Sequence, residues 1–329
     1  MAELRWHPLT KDWVMIASHR QNRPQMPKAW CPFCPGSGKV PEHFDVLKYD
    51  NDFPALSQNP PAPDDVATDF YKVADSYGKC EVILYSPEHT VTLPQLSVPH
   101  ITKLVDLWCQ RFEEISKDDK IKYVFIFENR GDVVGVTMPH PHGQIYGYPF
   151  VPKKIQLELS SAKEFKDETG ECIFCRMKQE EEDFKQRVIF KNEHFTVFLP
   201  FFTEYPYGVY IISNAHKQNI CEFTEEERVA LASTLRQTAG MLDSLFGYPF
   251  PYMMCMHNAP VNYEGEGNPE EFYHFHIEFF PPMRSADKQK FNASSETGVW
   301  AHCNPTAPEE KAEELRAAHK RFCEENPES

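Results

Sequence analysis

The chain has no apolar run of signal-peptide or membrane-spanning length at its start, where Met1-Ala2-Glu3-Leu4-Arg5-Trp6-His7-Pro8 is mixed and charged. A secretory leader or N-terminal anchor is therefore not expected. Positive charge is also scarce: 34 Lys and Arg stand against 49 Asp and Glu, a formal net charge of -15. That balance, with no basic patch interleaved with aromatics, argues against a chain that grips a nucleic-acid backbone, yet it leaves room for one nucleotide in a local pocket. Nor do the ten cysteines fall into the pattern of a secreted disulfide framework. Six of them (Cys80, Cys109, Cys221, Cys255, Cys303 and Cys323) are scattered, as small buried apolar residues would be. The expectation is a cytoplasmic chain with reduced thiols.

What is present suffices for two compact halves or one large domain: 329 residues, 41% hydrophobic and 13% aromatic, with 28 prolines that predict many irregular connections. The remaining cysteines form two Cys-x-x-Cys pairs, Cys31/Cys34 and Cys172/Cys175, and the stretches behind them repeat one order of elements. First come Tyr49-Asp50-Asn51-Asp52-Phe53 and Phe190-Lys191-Asn192-Glu193-His194. Next is an apolar strand ending near a histidine, Glu81 to Ser86 before His89 and Val209 to Ser213 before His216. An amphipathic helix follows in each copy. The first runs from Val98 to Ser116, with Ile101, Leu104, Val105, Trp108, Phe112 and Ile115 at helical spacing; the second starts at Thr224, where Glu227 completes a capping box, and ends at Phe246 before Gly247.

Another strand follows, Tyr123 to Phe127 or Tyr252 to Met256, and each copy closes on a His-x-His strand: His140-Pro141-His142-Gly143-Gln144 and His274-Phe275-His276-Ile277-Glu278. The copies meet in the Lys-rich, then Ser/Glu-rich stretch from Val151 to Gly170, which divides the chain into 1–155 and 156–329; Pro308 to Glu325 reads as a terminal helix. The expected fold is α+β, two duplicated halves about a pseudo-twofold axis, their strands forming one continuous, mostly antiparallel sheet flanked by helices.

Pro141 denies the stretch around it a helix, so it is extended and His140 and His142 project to one face. Gly143 allows a bulky anion close to the backbone, and Gln144 supplies an amide beside it. A neutral imidazole attacks phosphorus without a prior proton transfer, which makes His142 a candidate nucleophile. Each Cys-x-x-Cys turn presents two thiolates and leaves two places for histidines around a tetrahedral zinc. The sets are Cys31, Cys34, His89 and His140, and Cys172, Cys175, His216 and His274. Four protein ligands leave no open position, so both zinc sites would be structural, the first fixing His140 two residues before His142.

The stretch Pro139-His140-Pro141-His142-Gly143-Gln144-Ile145, preceded by Phe127-Glu128-Asn129-Arg130-Gly131 and followed by Phe150-Val151-Pro152, resembles the galactose-1-phosphate uridylyltransferases of the histidine-triad superfamily. Asp50-Asn51-Asp52-Phe53-Pro54-Ala55-Leu56, Ser86-Pro87-Glu88-His89 and Phe279-Phe280-Pro281-Pro282 extend the resemblance over almost the whole chain. It implies two histidine-triad-like halves and a ping-pong reaction. UDP-glucose gives its uridylyl group to His142 and releases glucose 1-phosphate; galactose 1-phosphate then takes the group to form UDP-galactose. The resemblance places Gln144 and Thr137 at the α-phosphate, with Asn129 and Gly135 lining the same pocket. It places Asn51, Asp52 and Phe53 at uridine, Arg20 and Arg23 at the diphosphate or nucleoside, and Lys290 at the hexose phosphate. The last of these contacts would reach the opposite subunit, implying a homodimer.

The resemblance further implies a second metal, iron or zinc, on Glu158, His257 and His276, where Glu278 stands in place of the family's remaining histidine. His274 and His276 are close neighbours on one strand, so this set competes with the Cys172 set, which is the preferred one. Two rival readings remain open. One is an ADP-glucose phosphorylase or related nucleotidyltransferase on the same scaffold; the other is a zinc-stapled nucleotide-binding sensor without catalysis.

Overall fold

The computed structural model describes residues 2–22 and 30–327. In chain order the first half contains β1 (Ala2–His7), β2 (Asp12–Ala17), β3 (Leu47–Asp50), β4 (Val73–Asp75), β5 (Lys79–Leu84), α1 (Val98–Ser116), β6 (Tyr123–Arg130) and β7 (His142–Tyr148). Next come α2 (Lys153–Thr169), α3 (Ile173–Phe184), β8 (Val188–Lys191), β9 (Phe195–Phe198), β10 (Tyr210–Ser213), α4 (Glu225–Phe246) and β11 (Tyr252–His257). The chain ends in α5 (Pro269–Phe272), β12 (His276–Phe280), α6 (Ser294–Val299) and α7 (Pro308–Glu325).

The two halves share one sheet. Its order is β3-β5-β7-β6-β11-β12-β10-β9-β8, and every neighbouring pair among the described residues is antiparallel. Each His-x-His strand is internal, β7 between β5 and β6, and β12 between β10 and β11. The strands that remain to join the halves are therefore β6 and β11, which pair from Tyr252↔Arg130 to Met256↔Ile126 with Met254↔Glu128 at the centre. The seam thus lies one strand away from the closing strands. A separate sheet of β2-β1-β4, which the repeat does not contain, covers the start of the chain.

One sheet face carries α1, α4 and α7, and the other carries α2 and α3, whose Ile155, Leu159, Ala162 and Phe174 pack with Tyr123, Phe198 and Ile212. The α1 residues at helical spacing, from Ile101 to Ile115, are buried, and they pack with α4 and α7 over Ile83, Val124, Ile126, Ile145, Met254 and Ile277. The α4 helix starts as the sequence predicts, with Thr224 accepting from the Glu227 amide and Glu227 accepting from the Thr224 amide, and it stops at a left-handed Gly247. Removing Gly240's hydrogen in favour of a methyl would drive it into the Phe322 ring, so α7 crosses α4 where α4 has no side chain.

Four helices were not expected: α2, α3 and the short α5 and α6. The joining stretch is α2, whose apolar stripe is only Ile155, Leu159 and Ala162 while Leu157 faces solvent, so its periodicity is weak. The α3 helix begins inside the second Cys-x-x-Cys turn. In the first copy Pro35 and Gly36 follow Cys34 and no helix forms, because proline lacks an amide to donate and Gly36 sits at φ +84°.

Candidate active site

Each His-x-His pair splits at a strand boundary: the first histidine precedes the strand and the second begins it. His140 donates from Nε2 to the Ser86 carbonyl at 2.8 Å and turns Nδ1 toward the Cys31 and Cys34 sulfurs at 3.8 and 3.7 Å. Cys34 Sγ is also 3.5 Å from His89 Nδ1. A tetrahedral zinc with Zn–S of about 2.3 Å and Zn–N of about 2.0 Å sets sulfur and nitrogen roughly 3.5 Å apart, so this donor set fits that ion. Burial pushes the His140 imidazole down to about 4, which keeps it neutral and able to offer a lone pair.

His142 is held from behind. Its Nδ1 lies 2.8 Å from the His140 carbonyl, and a carbonyl only accepts, so Nδ1 carries the proton and Nε2 is the basic nitrogen. The Phe33 ring, between the two cysteines, meets the His140 and His142 rings at centroid distances of 6.1 and 6.2 Å. Cysteine turn, donor set and candidate nucleophile therefore form one packed unit.

Around His142 the alternation of β7 puts Gln144 and Tyr146 on the same face. The Tyr146 hydroxyl donates to Gln144 Oε1 at 3.0 Å, which fixes the amide with its N–H groups directed away from Tyr146. On β3, Tyr49 packs against Phe33 at 5.2 Å and donates to both Asp52 oxygens at 3.0 and 3.1 Å; burial and the Asp52 carboxylate push the phenol up to about 12. Asn51 accepts from the Phe53 amide at 2.9 Å, which shapes this turn at the end of β3. Asn129 is the penultimate residue of β6, and Gly135, at φ +82°, and Thr137 lie on the segment leading to His140. Arg20 is near enough to Cys80 on β5 to influence its thiol, and Arg23 lies outside the described residues.

Lys290 is in the second half, bonded to Asn292 at 3.0 Å and over the Tyr205 ring. One expectation changes. Gly143 does not serve to open the substrate face. A Cβ there would overlap the Tyr85 hydroxyl and come 3.0 Å from the Phe127 carbonyl, so the glycine is required by what lies behind the strand.

The second half repeats the first set closely. Cys175 Sγ is 3.5 Å from His216 Nδ1 and 3.3 Å from His274 Nδ1, and His274 Nε2 is 3.0 Å from the Ser213 carbonyl, as His140 is bonded to Ser86. Cys172, Cys175, His216 and His274 converge, and so, separately, do Glu158, His257, His276 and Glu278. The expected competition between these sets does not occur. His274 precedes β12 and faces the cysteines, whereas His276 donates from Nδ1 to the His274 carbonyl at 3.0 Å and turns Nε2 to Glu278 at 3.6 Å. His257 reaches Glu158 through Nδ1 at 3.1 Å and Glu278 through Nε2 at 3.5 Å. Imidazoles with carboxylates suit iron or zinc. Lys154 also bonds Glu278, a partner that the sequence did not suggest. A cavity of about 370 Å³, walled in part by Phe174, Tyr210, His276 and Glu278, opens beside this cluster.

Sequence reasoning missed Tyr49, Tyr146 and the serines that anchor the metal-facing histidines. Ser86 and Ser213 could have been found, since each stands three residues before the repeat's matching histidine, His89 or His216.

Comparison with known proteins covers both parts of the chain. Residues 1–152 match the family model of the galactose-1-phosphate uridyl transferase N-terminal domain, and residues 158–322 match that of its C-terminal domain. A galactose-1-phosphate uridylyltransferase from Thermotoga maritima is 40% identical over 317 residues, covering 96% of this chain and 98% of its own. A solved uridylyltransferase structure superposes with a TM-score of 0.88 at 32% identity, covering 97% of this chain and 99% of its own. An ADP-glucose phosphorylase from Arabidopsis thaliana, solved with bound ADP-glucose, has a TM-score of 0.73 at 24% identity over 96% of this chain and 99% of its own, which speaks for the fold alone. With both domain models matched and the Thermotoga enzyme aligned nearly end to end, this chain belongs to the galactose-1-phosphate uridylyltransferase family.

Proposed function

We propose that the chain moves a uridylyl group from UDP-glucose to galactose 1-phosphate through a covalent intermediate on His142. Nε2 of His142 attacks the α-phosphorus; the bond from that phosphorus to the bridging oxygen breaks, and glucose 1-phosphate leaves with the electron pair. A phosphate oxygen of galactose 1-phosphate then attacks the same phosphorus, the nitrogen leaves, and UDP-galactose forms. The observation that carries this reading is the 2.8 Å bond from His142 Nδ1 to the His140 carbonyl, which presents Nε2 as the nucleophile. Gln144, its amide set by Tyr146, donates to the phosphate as charge shifts onto its oxygens, with Thr137 beside it and Asn129 and Gly135 lining the pocket.

Asp52, pinned by Tyr49, with Asn51 and Phe53, receives the nucleoside, and Arg20 and Arg23 the diphosphate. Zinc on the Cys31 and Cys172 sets supplies rigidity and no chemistry, since both have four protein donors. The Glu158, His257, His276 and Glu278 set suits iron or zinc. Lys290 acts across a homodimer on the partner's hexose phosphate. The protein works in the cytoplasm, and no described helix is long and apolar enough to cross a membrane. The chain is two histidine-triad-like copies meeting near residue 155.

The test is the mass of the intact, metal-loaded protein after exposure to UDP-glucose alone. One uridylyl group on His142 is expected, removed by galactose 1-phosphate and absent in His142→Ala. Turnover of ADP-glucose with phosphate, and none of UDP-glucose, would overturn the substrate assignment.

A further inference from the structure

Behind the strand that carries His142, on the sheet face covered by α1 and α4, lies a buried acid that the reaction above does not use. Glu128 is on β6, 6% exposed, at the centre of the seam where Met254 of β11 pairs with it. Its Oε1 accepts from the Tyr252 hydroxyl at 3.2 Å. Its Oε2 and the Tyr85 hydroxyl are both buried without a hydrogen bond of ordinary geometry among the described residues, and the two side chains are close enough to affect each other's protons. Tyr85, fully buried against Trp108, is the residue whose hydroxyl fills the place of a side chain at Gly143. Its amide also donates to the Pro141 carbonyl at 3.0 Å. Tyr85 therefore touches the chain on both sides of His142.

We propose that Tyr85 and Glu128 are positioning residues for the nucleophile: Glu128, as a neutral acid, shares a proton with the Tyr85 hydroxyl, and that hydroxyl props Gly143 so that His142 stays in register. This rests on His142 being the uridylylated residue. Burial pushes the Glu128 carboxyl up to about 7, against the opposing pull of Arg130 and the Tyr252 and Tyr85 hydroxyls; Asp243 adds to the upward push. Arg130 is not a ready counter-ion, because it is tied to Asp243 through both terminal nitrogens at 2.9 and 2.8 Å. An ionised Glu128 would be a buried charge facing hydroxyl donors alone, and by drawing the Tyr85 hydroxyl toward itself it would shift the prop behind Gly143.

The sign follows from that upward shift. Between the ordinary carboxylate range and about 7 the folded protein binds more protons at Glu128 than the unfolded chain, so this contribution to stability is full at low pH and is lost as pH rises through about 7.

The experiment measures the rate of His142 uridylylation and the melting temperature from pH 5.5 to 9 in metal-loaded wild type, Glu128→Gln and Tyr85→Phe. Wild type should lose rate on the alkaline side with a midpoint near 7, and Glu128→Gln, which is neutral and isosteric, should keep the low-pH rate while that limb disappears. Tyr85→Phe should lower kcat by roughly tenfold to a hundredfold with KM for UDP-glucose unchanged, the scale of a small misplacement of a reacting group. An alkaline limb unchanged in Glu128→Gln, or a Tyr85→Phe variant with wild-type kcat, overturns the proposal. If Glu128→Gln does not fold, Tyr85→Phe decides. If wild type forms no adduct at any pH, the uridylyl reading fails by itself; the wild-type melting curve against pH, compared with Glu128→Gln, still decides whether Glu128 is held neutral.

Discussion

At the scale of single residues, the site is governed by which nitrogen or oxygen each side chain has already committed. His140 spends Nε2 on Ser86 and offers Nδ1; His142 spends Nδ1 on the His140 carbonyl and offers Nε2. The residue types and spacing were legible in the sequence, because a proline between two histidines restricts the backbone strongly. What was not legible is the role of Gly143, since the reason for it is Tyr85, far away in sequence and on the other sheet face. A substitution tests this directly. Gly143→Ala should cost most of the activity because its methyl meets the Tyr85 hydroxyl, whereas the Tyr85 ring carbon Cζ is 3.1 Å from that methyl and could give way. Gly143→Ala combined with Tyr85→Phe should therefore recover stability relative to Gly143→Ala alone, a coupling that a melting-temperature cycle measures. Additive losses would show that the clash lies elsewhere. A second substitution concerns Asp52: Tyr49→Phe removes both bonds to its carboxylate, so KM for UDP-glucose should rise while removal of the uridylyl group by galactose 1-phosphate keeps its rate. Steady-state and single-turnover kinetics separate the two.

At the scale of elements, the helices α1, α4 and α7 were legible because each buries a regular apolar stripe or carries a recognisable cap. Thr224→Ala should cost about 1 kcal/mol through loss of the α4 cap, read as a lower urea midpoint with an unchanged slope. The α2 helix escaped because it has a thin apolar stripe and its importance lies in one carboxylate, Glu158, which reaches across to His257 and Tyr273. The Cys-x-x-Cys turns have unequal consequences. The first turn holds the residue whose carbonyl fixes His142, so Cys31→Ala should slow uridylylation by about a hundredfold, in keeping with loss of positioning rather than of chemistry. The second turn closes onto His274, on the far side of the seam from His142. Cys172→Ala should lower the melting temperature and release one metal equivalent while uridylylation of His142 stays near wild type. Metal content and adduct rate measured on the same samples check both expectations.

At the scale of the whole molecule, the two copies share one scaffold, and only the first carries the strand on which uridylyl transfer is proposed. The sequence showed the repeat plainly, and the continuous sheet followed from it; it did not show which strands form the seam, because that depends on which edges each half leaves unpaired. The second copy keeps the imidazole at the start of its closing strand, with Phe174 packed on His276 at 5.0 Å as Phe33 packs on His142. The surroundings differ in charge. Gln144, two residues after His142, has its counterpart in Glu278, and the neighbouring cavity is also lined by Glu158 and Glu204, with Lys154 committed to Glu278. A nucleoside diphosphate brought there meets carboxylates where the first copy offers an amide, and the nitrogen of His276 that could attack is turned to Glu278. Saturating UDP-glucose should therefore load one uridylyl group per chain and not two, and His142→Ala should carry none even after long exposure. The reciprocal variant His276→Ala should still be uridylylated at His142, with its cost appearing as a lowered melting temperature, since Glu278 loses a buried partner. A second group on the wild-type chain, or any adduct on His142→Ala, would mean that the acidic copy has kept the chemistry.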